Sequence, residues 1–468
     1  MQLIKWLNQV EPKHVLTIGG LDPIAGAGVY ADVKALSMIK ALPLIVATCI
    51  VFENTQGVKG IMPLSHDAVR LQLKMILHDC EPHAVKISLV HNQEIIEALV
   101  NELPRNLPIV LDPILESWDG YKLITPEGLK ALKEQLIPKS TVITPNIFEA
   151  SILSGVKIKD LDSAKEAARK IANFGVKCVA IKGGHLSFRK AIDLLYYEDD
   201  FFIMEKERTH EEAFHGLGCA FAASFAGFIA HGLNVIEAFK FASLFTAYAV
   251  KGSYKLKGKA KVSNPLELYY KSLDVIKVLE SMHEALANIE AIKGLEDLTP
   301  EVGVNIAMCL RNPTTLDDVC GIEGRLRPIR GFLRAHGTIK FGGSRHLGSM
   351  LIEVNKRWPS IRACINIKYS EEILKAIKAL GFKITSFDRS KEPQEVKSRE
   401  GLSMKWGAQE ALKDLSLEPD VIYDTGDVGK EPMIRVFGKD AIDVVKKIEL
   451  INAKLRELQE TSRSQHSP

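Results

Sequence analysis

The sequence predicts an α/β protein of two domains, a doubly wound sheet domain followed by a second, smaller α/β domain. Three observations predict it. Short β-branched apolar runs alternate with amphipathic stretches from His14 to about Gly252, the pattern of strands joined by crossover helices. A basic, glycine-containing segment poor in apolar side chains, Lys251–Asn264 (KGSYKLKGKAKVSN), interrupts that alternation. A second alternating pattern then runs from about Leu295 to Leu458, and 468 residues exceed one ordinary domain.

In the first domain the strand candidates are His14–Gly20, Pro43–Val51, Ala84–Ile87, Pro108–Leu111, Thr141–Ile143 and Cys178–Ile181. Several are nearly all apolar, which suits a parallel sheet buried on both faces. Ala27–Ile39, Asp67–Asp79, Asn92–Glu102 and Ser163–Phe174 predict helices between them. Ligands of such folds gather at the carboxyl ends of the strands. Pro265–Ile292 predicts an amphipathic helix bridging the two patterns. The expected boundaries are 1–264 for the first domain, 265–285 for a helical linker, 286–458 for the second domain and 459–468 for a polar tail.

Composition narrows the function classes. The 61 basic and 58 acidic side chains nearly cancel, leaving +3, which argues against a coat for nucleic acid or for an anionic membrane. No stretch approaches the roughly 18–20 apolar residues of a membrane span; Cys219–Ala230 is apolar but too short. Met1–Lys13 predicts no signal peptide. Seven scattered cysteines without a Cys-x-x-Cys pair predict neither a disulfide framework nor structural zinc. The expected setting is a reducing cytoplasm.

Three segments of the first domain carry chemistry. Thr17–Gly28 (TIGGLDPIAGAG) runs from a strand through small residues into a helix, where a ligand can approach the backbone and unpaired amides await it; a plain strand-to-helix connection has the same look. His215-Gly216-Leu217-Gly218-Cys219 leads into an apolar helix. Glycines before a helix start cradle an anion, and a thiol there is expected to have a lowered pKa and to accept a proton; the bland alternative is a tight entry turn with an inert cysteine. Thr144-Pro145-Asn146-Ile147-Phe148-Glu149 follows a buried strand. Asn146 and Glu149 could hold Mg²⁺ or its waters, or could close a capping box.

Taken in order, with Asp32-Val33-Lys34, Glu53–Val58, Lys86-Ile87, Val110-Leu111-Asp112-Pro113 and Lys182-Gly183-Gly184-His185, these segments resemble hydroxymethylpyrimidine/phosphomethylpyrimidine kinases of the ribokinase-like group. The resemblance spans about His14 to Gly252 and implies two successive ATP-dependent phosphorylations of the pyrimidine, with ATP and Mg²⁺ as cofactors. It implies that Cys219 is the catalytic group, with the Gly216, Gly218 and neighbouring amides as anion hole. Asn146, Glu149, Lys182 and Gly183 would serve MgATP, Glu149 at the metal, while Gly20, Glu53, Leu89 and Ile114 would hold the pyrimidine. The group often dimerises, which makes a homo-oligomer an expectation. Glu53 stands where the family usually has Gln, and a carboxylate donates to a ring nitrogen only when burial keeps it protonated. Ile24 and Ala25 replace Ser and Gly, Leu217 replaces Thr, and Leu89 replaces Met.

In the second domain Lys340-Phe341-Gly342-Gly343-Ser344-Arg345-His346 mixes glycines with cationic side chains at a helix entry, a mixture that suits phosphate or diphosphate or an ordinary solvated basic face. Asp424–Glu431 (DTGDVGKE) could position carboxylates and Lys430, or be a turn-rich loop. With Gly324-Arg325-Leu326-Arg327, Tyr369–Leu374 and Ser386–Arg389, these segments resemble the archaeal-type thiamine-phosphate synthase domain over about Met282 to Ile451. The resemblance implies coupling of pyrimidine diphosphate to hydroxyethylthiazole phosphate with loss of diphosphate. It implies Arg325, Arg345 and His346 as catalytic candidates, and Lys340, Ser344, Asp424 and Lys430 at the substrates. The run before Lys340, RPIRGFLRAHGTI, lacks the family's Cys-Pro. Relatives of this domain also sense thiamine phosphate in transcription regulators, but no helix-turn-helix is recognisable here. For the first domain the rival within the group is a pyridoxal kinase.

Overall fold

The computed structural model describes Trp6 and residues 9–183, 190–207, 213–397 and 401–464. The chain falls into two compact units that divide between Tyr269 and Tyr270, inside the helix Glu267–Ala291.

The first unit is built on a nine-stranded sheet: β1 (Lys13–Leu21), β2 (Ala41–Asn54), β3 (Gly57–Pro63), β4 (Ala84–Ile87), β5 (Ile109–Leu111), β6 (Val142–Ile143), β7 (Cys178–Ile181), β8 (Lys190–Tyr197) and β9 (Asp200–Glu207). Their order is β3-β2-β1-β4-β5-β6-β7-β8-β9. The centre, β2 to β7, is parallel as the apolar runs require. Both edges are antiparallel, β3 on β2 and β8–β9 on β7, a feature absent from the sequence reading. The β8–β9 turn places Glu198 and Asp199 at φ 51° and 65°, the left-handed pair of a two-residue hairpin.

Helices pack on both faces of this sheet, each face with its own apolar core. The helix Leu217–Ala230 is apolar on every side because it is buried on nearly every side, from Cys219 to Phe228. Its N-terminus faces the carboxyl ends of the parallel strands.

The second unit centres on a seven-stranded sheet in the spatial order Ile339–Phe341, Val319–Ile322, Ile306–Cys309, Ala363–Lys368, Met433–Gly438, Val421–Asp424, Ile384–Ser386. All neighbours are antiparallel except the last pair. The helices Arg345–Arg357 and Leu402–Leu412 cover one face, and Glu371–Ala379 and Ala441–Ser464 pack against the other. The terminal helix extends to Ser464, into the stretch that reads as a polar tail in sequence. Among the described residues no helix is long and apolar enough to cross a membrane.

Candidate active sites

In the first unit a cavity of about 150 Å³ opens at the strand ends. Gly20, Glu53, Leu89, Ile114, Asn146, Glu149, Lys182, Gly216, Gly218 and Cys219 all line it. Residues scattered over 200 positions of sequence therefore meet in one place, and only Gly183 of the expected set stands behind the wall. The Gly183 amide lies 3.3 Å from Asp193 Oδ1, while Gly184 and His185 of the same motif lie outside the described residues.

Two loops form the floor, and one carboxylate ties them. Asp22 Oδ1 accepts from the Ile24 amide at 2.8 Å. Its Oδ2 accepts from the Gly26 and Ala27 amides at 2.8 and 2.7 Å and from His215 Nε2 at 2.8 Å. Burial opposes ionisation of Asp22, yet the His215 bond and charge and the turn amides hold its carboxyl below the ordinary value. Burial likewise opposes the imidazolium, but Asp22 and then Glu53 hold His215 above its ordinary value. Asp22, Glu53 and His215 offer ligand-type atoms within 4.8 Å of one another. With both Asp22 oxygens already taken, Asp22 and His215 form a hydrogen-bonded clasp, and the Glu53 carboxyl stands beside it at 3.9 Å from His215 Nε2.

The clasp seats the anion loop. Gly216 has φ 81°, and a Cβ there would stand 1.6 Å from the Gly26 carbonyl oxygen, so only glycine allows the two turns to touch. The helix bonds begin with the Ala220 amide on Gly216 O. The amides of Leu217, Gly218 and Cys219 therefore have no helical acceptor and suit an anion.

The expected lowering of the Cys219 pKa is not met. Burial pushes the thiol up to about 12, although Lys86 and the Gly28 amide pull the other way. Desolvation of a thiolate outweighs the helix terminus here, so Cys219 is a thiol at neutral pH.

Opposite lies an acidic corner. Lys182 Nζ sits 2.6 Å from Asp112 Oδ1, and a bridge from Asn146 to Lys182 brings the two strand ends together. Asn146 Oδ1 accepts from the Glu149 amide at 2.9 Å, and Glu149 Oε2 accepts from the Asn146 amide at 2.7 Å. The capping-box alternative is thus realised, and it aims Glu149 at the corner. Burial first, and Asp112 second, push Glu149 up to about 8 against the pull of Lys182. Two buried carboxyls against one ammonium make an oxygen-rich, cation-poor corner that fits a hard divalent ion. Asp112 had no role in the sequence reading; its signal was its place at the end of β5 before Pro113.

In the second unit Arg325 occupies a left-handed turn position (φ 72°) and donates through Nη1 to Val302 O at 2.8 Å. The Glu431 carboxylate accepts from the Glu301 and Val302 amides at 2.8 and 3.2 Å. Arg325 and the 424–431 segment are thereby drawn to one loop. Lys340 pairs with Glu323 at 2.5 Å and Lys430 with Glu392 at 2.9 Å. Ser344 is buried against Gly321 and begins the helix Arg345–Arg357, whose first residues, Arg345 and His346, are exposed.

Asp424 departs from its expected place at the substrate. It is 1% exposed. Arg389 Nε reaches Oδ1 at 2.6 Å, Arg435 Nη1 reaches Oδ2 at 2.7 Å, and the Gly426 amide donates to Oδ1 at 3.0 Å. Its acceptors are spent on two guanidiniums, both of which lie against the Phe387 ring. Arg389 and Arg435 are the members of this group that sequence reasoning missed.

A ribokinase-like phosphotransferase joined to a second α/β catalytic domain is the class that this fold and these sites define. The phosphomethylpyrimidine kinase family matches residues 22–264, and the thiamine-phosphate synthase ThiN family matches residues 281–450. The chain is 31% identical over 448 residues to the bifunctional thiamine biosynthesis protein ThiDN of Methanocaldococcus jannaschii, covering 93% of this chain and 98% of that one. It is 36% identical over 244 residues to the hydroxymethylpyrimidine/phosphomethylpyrimidine kinase of Aquifex aeolicus, covering 52% of this chain and 95% of that one. The solved ADP complex of Bacillus subtilis pyridoxal kinase is similar at 33% identity and a TM-score of 0.50, covering 55% of this chain and 99% of that one. The chain belongs to the bifunctional thiamine-biosynthesis family: it is a hydroxymethylpyrimidine/phosphomethylpyrimidine kinase followed by a thiamine-phosphate synthase.

Proposed function

We propose that the cavity of the first unit binds hydroxymethylpyrimidine, and then its monophosphate, between Gly20, Leu89, Ile114 and Glu53, with ATP entering over Lys182. The observation that carries this reading is the convergence of the pyrimidine and nucleotide candidates on one cavity. The migrating phosphoryl group meets the amides of Leu217, Gly218 and Cys219. Glu149 and Asp112 would hold Mg²⁺, which when bound neutralises charge on the β- and γ-phosphates. Lys182 adds a fixed positive charge on the same side. Cys219, a thiol rather than a thiolate, orients the substrate hydroxyl. Little proton removal is needed before a loose phosphoryl-transfer transition state, so the hydroxyl oxygen can bond to the γ-phosphorus as ADP leaves and its proton can pass late, to an oxygen of the transferred phosphoryl group.

The second unit then joins the pyrimidine methylene to the nitrogen of hydroxyethylthiazole phosphate. Diphosphate leaves as negative charge grows on it, and the cations Arg325, Lys340 and Arg345, with the His346 imidazole, supply hydrogen-bond donors for that charge. Asp424 acts indirectly by holding Arg389 and Arg435.

A mixed assay tests both halves. Purified protein receives hydroxymethylpyrimidine, MgATP and thiazole phosphate, and chromatography follows every pyrimidine phosphate. Thiamine phosphate should form only with all three present. Cys219→Ala should stop the kinase steps yet leave coupling of supplied pyrimidine diphosphate, and His346→Ala should do the reverse. Accumulated diphosphate without thiamine phosphate would make the second unit a sensor.

A further inference from the structure

Glu53 stands apart from the other acidic groups of the cavity. A register shift between Phe52 and Glu53 breaks the β2–β3 ladder, and such a bulge re-aims the side chain that follows it. The carboxyl is turned into the cavity with its side chain only 8% exposed. It makes no hydrogen bond among the described residues. The nearest basic nitrogen among the described residues is His215 Nε2 at 3.9 Å, and that nitrogen is already engaged with Asp22 at 2.8 Å. Its oxygens line the cavity with no donor of the described residues in hydrogen-bonding distance, so they are available to a ligand's donors there.

An aminopyrimidine offers a matching edge, an exocyclic N–H donor beside a ring-nitrogen acceptor. A carboxylic acid meets it with one acceptor oxygen and one O–H donor. A carboxylate meets it only if the ring nitrogen carries the proton. In both forms the pair holds one proton; with none, a lone pair faces a carboxylate, and with two, an N–H faces an O–H. We infer that Glu53 recognises the pyrimidine as a one-proton pair, so that binding draws a proton from solution. The inference rests on the proposed placement of the pyrimidine and adds the protonation state in which it is recognised.

The groups facing Glu53 agree in direction. Burial is the largest influence and pushes its carboxyl up to about 7; His215 opposes this, while Asp22 and Asp119 reinforce it. Cys49, on the same strand, is a thiol pushed up to about 11, by burial first. Above pH 7 the free protein carries Glu53 as a carboxylate, and one proton must arrive with the ligand. Affinity then falls about tenfold per pH unit, or ~50-fold between pH 7 and 9.

Calorimetric titration of the whole chain with hydroxymethylpyrimidine at pH 8, in two buffers of different ionisation enthalpy, counts the protons. About 0.9 proton should be taken up per pyrimidine bound by the parent protein, and none by Glu53→Gln, whose amide supplies donor and acceptor at every pH. Binding without proton uptake by the parent overturns the inference and leaves the pyrimidine site standing, as does equal uptake by parent and variant. Absence of pyrimidine binding overturns the site reading as well. The parent count decides the matter even if the variant does not fold.

Discussion

Replacing Lys86 by methionine tests how the floor beneath Cys219 is held. Lys86 Nζ, from β4, lies 2.9 and 2.7 Å from the two oxygens of Asp32, and both side chains are fully buried. Thr17 Oγ1 donates to the same carboxyl at 2.5 Å. In Lys86→Met that carboxyl keeps the Thr17 hydrogen bond and loses the one cation bonded to it among the described residues. Orphaning one partner of a buried pair costs about 3–5 kcal/mol. At ~2–4 °C per kcal/mol for a unit of this size, the first unit should melt ~6–20 °C earlier. The double variant K86M/D32L removes both charges and should be within about 1 kcal/mol of the parent or better. Two compact units need not unfold together, so hydrogen exchange of peptides from β1 and β4 is the readout in the full chain. A single variant that loses under about 1 kcal/mol, or a double variant as unstable as the single, would refute the reasoning.

Gly216→Ala forces a left-handed alanine whose Cβ stands 1.6 Å from Gly26 O, so the two turns must part and the anion hole shift. Kinase turnover should drop at least ~100-fold while coupling of supplied pyrimidine diphosphate stays at the parent rate; an unaffected kinase would show that the loop contact is dispensable. Asp424→Asn keeps the shape but leaves the Arg389 and Arg435 charges without their carboxylate, at a cost of about 3–5 kcal/mol to the second unit. Exchange in Val421–Asp424 should rise and coupling should fail while phosphorylation continues, and protected strands with full coupling would refute it.

The parallel strands of the first unit were legible because a strand buried on both faces has to be almost wholly apolar, as Ile109–Leu111 and Cys178–Ile181 are. The β8–β9 hairpin was equally present, as two apolar runs on either side of Glu198-Asp199, and went unread. The glycine turn and the anion loop were recognised separately, but their joining was not. His215 and Asp22 are 193 residues apart, and nothing local in either segment announces the other. Position on a helix was legible for Cys219 and its acidity was not. A first-turn thiol is lowered by the helix terminus only while water or charge can support the thiolate, and here the burial of the side chain decides.

Asp424 shows the same limit from the other side. A carboxylate at a strand end, before a glycine-rich turn and among basic residues, has one appearance in sequence whether it meets a substrate or anchors arginines. What separates the two roles is the number of acceptor positions left over. Asp424 has Arg389, Arg435 and the Gly426 amide on its two oxygens, whereas Glu53 has no bonded partner among the described residues. Both are acidic residues at the carboxyl ends of strands, and both were read as substrate contacts. The unspent carboxyl is the one free to take a ligand, and the saturated one acts on the reaction only through the guanidiniums that it holds.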